Sequence, residues 1–179
     1  MGEHRAEVTE TPSGVGSAFF SLVIGPERNA SAVVYGIITV GAVLAAEGNR
    51  NETYLRSVGA AVLVLLLYWV VHAWSQDSGS RLAERRAFAW APFAEALRDE
   101  WSIMRGASVP ILSVIIAGLS GATDRRAVFV GTLVAAVMLV VFELSVAVRG
   151  RLSPKQVAVQ AAAGALFGMA LIGLRFVVV

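Results

Sequence analysis

The chain contains no cysteine. A disulfide, an iron–sulfur cluster and a thiolate-held zinc are therefore excluded. It has a single lysine, Lys155, and no glycine-rich run precedes it, so a phosphate-binding loop is excluded as well. Charged side chains make up only 16% of the 179 residues, where ordinary soluble domains carry about 25%. The formal net charge of +2 is too small to argue for nucleic acid. Two histidines and scattered carboxylates show none of the spacings of a zinc site, so neither such a metal nor a cofactor is expected, while a hard cation held by oxygen ligands needs no motif and stays open.

The chain is rich instead in apolar runs: 56% of its residues are hydrophobic and its mean hydropathy is +0.68. The longest run, 127–148, carries one ionisable side chain, Glu143. Roughly 20 helical residues cross a hydrocarbon core about 30 Å thick. Further runs cover about 29–46, 57–74, 107–122 and 156–179. The third is short, covering about 24 Å as a helix. The expected fold is all-α, a polytopic membrane bundle of five spans forming one domain over 29–179. Residues 1–28 read as a polar tail ending in a short interfacial segment. Glu3, Glu7 and Glu10 and the brevity of the apolar patch 18–24 argue against a cleavable signal peptide.

Between the second and third spans, 76–80 reads as a polar loop and 81–106 as an amphipathic connector. Pro92 suits the first turn of a helix. Phe93, Leu97, Trp101 and Met104 then share one face, with Glu95, Arg98, Asp99 and Ser102 opposite. Such a segment lies in the headgroup plane or packs on the bundle as a surface connector. Ser153, Pro154 and Gln156 supply an N-cap, a first-turn proline and a capping-box partner for the last helix.

Small residues mark where helices approach closely. Gly36 follows Ala32 by four residues, Gly131 lies between Ala127 and Ala135, and Gly164 and Gly168 form a GxxxG pair. These faces exceed what one small bundle must bury, which suggests a homo-oligomer within the lipid bilayer. The sequence indicates no other protein partner.

Basic residues orient a membrane protein through its short loops. Five spans put Arg5, Arg28, Arg81, Arg85, Arg86, Arg98, Arg105, Arg149, Arg151 and Lys155 on one side. Arg50, Arg56, Arg125, Arg126 and Arg175 fall on the other. Ten against five favours an N-terminus inside the cell. In that orientation Tyr35, Tyr68, His72, Glu143 and Gln160 lie in the inner half of the bundle, and Glu47 and Arg175 near the outer surface.

Ionisable groups inside a membrane are costly and often functional. Imidazole titrates near neutrality, and burial raises a carboxylate pKa in general, so His72 and Glu143 are candidates for a proton or cation path. Tyr35, Tyr68 and Gln160 would line it. The alternative is structural: His72 at headgroup level beside Trp74, and Glu143 hydrogen-bonded to Gln160 or a tyrosine. Glu47 and Arg175 are candidates for an outer ion pair, or are solvated helix-end residues.

Gly118-Leu119-Ser120-Gly121 resembles the serine motif of rhomboid intramembrane proteases over four residues. In that family the histidine lies on a later helix, whereas His72 comes earlier and near the opposite face. No dyad is expected, and hence no protease. Over most of its length the chain resembles the small, poorly characterised integral membrane proteins of actinobacteria. The likeness rests on Val34-Tyr35-Gly36-Ile37-Ile38, Tyr68-Trp69-Val70-Val71-His72-Ala73-Trp74 and Asp99-Glu100-Trp101. It implies fold and bacterial origin, and no activity. Two functional classes follow from the residues: a small channel or transporter, or a non-catalytic accessory or scaffold protein.

Overall fold

The computed structural model describes residues 30–48 and 52–177. The expected tail over 1–28 and most of the turn after the first span lie outside the described residues. Six helices and no strand are found among the residues described: α1 (Ala30–Glu47), α2 (Tyr54–Glu84), α3 (Trp90–Asp99), α4 (Ser102–Leu119), α5 (Asp124–Arg149) and α6 (Pro154–Val177). All but α3 are long and apolar enough to cross a membrane. The molecule is a multi-pass helical membrane bundle. Its long helices alternate in direction, so one end holds α3, the end of α2 and the start of α4.

α5 packs against α6, α4 and α1. Its buried residues Val128, Gly131, Thr132, Ala135, Ala136, Leu139 and Phe142 recur every three or four positions, one helical face. Lipid tails are as apolar as leucine, so close backbone approach must hold the helices together. Glycine permits it. A Cβ on Gly164 would lie 3.0 Å from the Leu139 carbonyl oxygen of α5, and one on Gly168 3.0 Å from that of Ala136. A Cβ on Gly131 would run into Val114 of α4 and Leu44 of α1. The tightest crossing is reciprocal: a Cβ on Gly36 of α1 would collide with the Ile103 carbonyl of α4, and one on Gly106 of α4 with the Val33 carbonyl of α1.

Three expected boundaries are corrected. The polar loop expected at 76–80 is helical instead: α2 continues past Trp74 to Glu84. Its 31 residues measure about 46 Å, so its last turns project beyond the hydrocarbon. Asp77 explains the continuation, because Arg81 Nε lies 2.9 Å from its carboxylate one turn on, and Arg81 also donates to Ser78 Oγ at 2.8 Å. The 81–106 connector is not one element. It divides into the end of α2, a bend, α3 and the first turn of α4. The helix that carries the third apolar run begins at Ser102, a turn before that run, and stops at Leu119, where Gly121 takes φ +87° and Ala122 N–H bonds back to Ala117. The last helix opens as read: the Ser153 N–H and hydroxyl both donate to Gln156 Oε1 at 2.9 Å.

Candidate functional site

The outward stripe of α2 faces lipid, while Ser57, Ala61, Leu65, Ala73 and Asp77 turn inward. Tyr68 and His72 lie beside that inward stripe, one turn apart. Their rings stack at 5.7 Å between centroids with 18° between planes. Tyr35 of α1 completes the group, 6.2 Å from Tyr68 and 6.0 Å from His72. Three of the five candidate path residues therefore meet in space.

Their carboxylate neighbour is Glu100. His72 Nε2 lies 3.6 Å from Glu100 Oε1, and both side chains are largely buried. Glu100 sits at the corner between α3 and α4. Its N–H bonds to the Ala96 carbonyl and its own carbonyl accepts from Ile103 N–H. The corner is pinned to α2 by Trp69, whose Nε1 donates to the Leu97 carbonyl at 3.0 Å and whose ring meets Trp101 edge-on at 5.5 Å. Glu100 was not among the residues singled out from sequence. It lies in a polar tripeptide beyond the apolar runs, and only the fold back of α3 brings it to α2.

Glu143 lies elsewhere, on the face of α5 turned to α6, where its Cγ would be 3.1 Å from a Cβ on Gly164. It is half-buried and has no hydrogen bond or ion pair with any described residue, Gln160 included. Gln160 lines a separate pocket of about 370 Å³ with Leu152, Lys155, Gln156 and Val159. The structure thus brings Tyr35, Tyr68 and His72 together and leaves Glu143 and Gln160 apart from them.

At the opposite end Arg175 is buried at 8% exposure. It donates to the carbonyls of Gly48 at 3.1 Å and Arg125 at 3.3 Å, and its guanidinium covers Phe129 at 5.1 Å. It joins α6 to the ends of α1 and α5, binding backbone one residue past Glu47. Ser120 lies at this end too, donating to the Ile116 carbonyl at 2.7 Å. The length of α4, about 27 Å, separates it from the corner that holds His72.

A charged cluster that the sequence reading missed lies beyond the α2 span. Asp77 is only 3% exposed. Arg81 reaches it from one side and Arg86 from the other, at 2.9 and 2.7 Å. Arg86 also binds Glu84 at 2.8 Å. The hydrogen bond to Asp77 is the main reason the Arg86 guanidinium is held above its ordinary pKa. Arg81 covers the rings of Trp74 at 4.9 Å and Phe88 at 5.3 Å. Beside this cluster opens a pocket of about 580 Å³ whose lining includes Asp77, Glu84, Glu95, Asp99 and Glu100 against one cation, Arg86. Glu100 is common to this pocket and to the pair with His72. No protein-family model, curated protein or solved structure matches this chain.

Proposed function

We propose that the protein is a small channel or transporter for protons or another cation in a bacterial cell membrane. The acid-lined pocket at the α3 end gathers the cation, Glu100 hands it to His72, and Tyr68 and Tyr35 continue the path. The observation that carries this reading is the shared carboxylate of Glu100, which lines the pocket and lies 3.6 Å from the imidazole. A carboxylate beside an imidazole at the edge of an apolar bundle is a pair that can exchange a proton. The arginine count puts the α3 end and the N-terminus on the cytoplasmic side. The test is proton flux into proteoliposomes under a pH gradient. The parent protein conducts, and His72→Gln and Glu100→Gln each lose most of the flux while keeping parental helicity and elution volume. A parent without flux rejects transport, and two fully active variants reject this site.

The second reading, an accessory or scaffold subunit, is favoured by Glu143. A carboxylate within the apolar run that has no partner among the described residues would find one on another subunit or a second copy. Under that reading Glu143→Gln weakens assembly, measured by cross-linking in membranes, and no flux is seen in the parent.

A further inference from the structure

Against α2, between α3 and the first turn of α4, lies a second pocket of about 570 Å³, and its lining differs in kind from that of the acidic one. Its walls include Trp69, Leu97 and Trp101, and its polar groups include Arg98, Ser102 and Arg105. Neither guanidinium makes a hydrogen bond or ion pair with a described residue. Ser102 lines the pocket as well, and its hydroxyl makes no hydrogen bond with a described residue. Two guanidiniums and an open hydroxyl lining one pocket, none of them paired with a described residue, mark a place for an outside acceptor. Depth narrows what that acceptor is. Arg105 is the one charged residue of α4 and stands in its first turn, where the apolar run begins. Guanidiniums, a hydroxyl and indole rings at the rim of the hydrocarbon match a phosphodiester above a glycerol backbone. Glu95 and Asp99 line the acidic pocket instead, so they do not oppose an anion here.

We propose that this pocket binds the headgroup of an anionic glycerophospholipid. Arg98, Arg105 and Ser102 hold the phosphate, and Trp69, Leu97 and Trp101 cover the glycerol and the first methylenes. The site does not depend on the transport reading.

The test uses full-length protein in nanodiscs of phosphatidylcholine containing a small fraction of phosphatidylglycerol, with one lipid or the other brominated on its acyl chains. Quenching of tryptophan fluorescence reports which lipid occupies the pocket. The parent prefers phosphatidylglycerol by about tenfold, from two cations near the surface. Arg98→Gln with Arg105→Gln brings that preference close to one. Arg85→Gln, outside the pocket, leaves it unchanged. Arg98 and Arg105 are exposed and unpaired, so the double variant folds, and circular dichroism confirms it. Ser102→Ala lowers the preference with both cations retained. Equal quenching by the two lipids in the parent overturns the proposal, as does a double variant with undiminished preference. Displacement of the lipid by soluble glycerol phosphate overturns it in favour of a soluble anion.

Discussion

Removing the carboxylate of Asp77 would leave Arg81 and Arg86 facing each other beside the acidic pocket with no anion between them. Breaking a buried pair from one side costs more than the pair contributes, because the remaining charge is stranded. Asp77→Ala is expected to destabilise the protein, read as a lowered midpoint of thermal unfolding in detergent. Arg86 works in the opposite direction with pH. Its folded pKa is raised, mainly by the hydrogen bond to Asp77, so its contribution is fully present below arginine's ordinary value. That contribution is lost only as pH rises through the still higher folded value. Mild alkali therefore leaves the cluster intact, and melting curves at neutral and mildly alkaline pH should agree for this element. Asp77 was hidden in the sequence for a physical reason. Gln-Asp-Ser-Gly-Ser is composed of turn-forming residues, and Arg86, which helps hold the carboxylate within a helix, lies nine positions away.

At the scale of the element, glycines divide into those that set a crossing and those that do not. Gly36 and Gly106 each meet a carbonyl of the opposing helix, whereas Gly59 has nothing within 4 Å of an added Cβ. Gly36→Ala should therefore force α1 and α4 apart and cost about 2 kcal/mol, the scale of overpacking a filled contact. Gly59→Ala should be neutral or stabilise by up to about 1 kcal/mol, the helix-propensity gain. Denaturant titration monitored by helicity separates the two. The helical class and the apolar runs were legible because hydropathy over twenty residues is a strong signal. The α2 extension and the break between α3 and α4 were not, because both depend on contacts between segments. Gly36 offered a spacing pattern, while its partner Gly106 sits in a short run of small residues with no periodicity to mark it. His72, Tyr68 and Tyr35 could be singled out by polarity within apolar runs. Glu100 could not, being polar in a polar stretch.

For the whole molecule, the alternation of five spans puts the α3 end and the opposite end on different sides of the bilayer. Cysteines introduced at Ser80, beside the acidic pocket, and at Thr53, before α2, should be labelled by an impermeant maleimide from opposite faces of oriented vesicles. Same-side labelling would break the five-span arrangement. Reaction of Ser80→Cys only after permeabilising right-side-out vesicles would support the cytoplasmic assignment of the α3 end.

The helices also differ in reach. From Gly106 to its close at Leu119 the uncharged part of α4 extends about 21 Å, while the apolar run of α5 between Arg126 and Arg149, interrupted only by Glu143, extends about 33 Å. A bilayer that matches α5 is too thick for α4, so lipid next to Leu112, Ile116 and Leu119 must compress to meet it. The protein should melt at a higher temperature in short-chain than in long-chain phosphatidylcholine. That elastic strain would concentrate on the flank carrying Arg105.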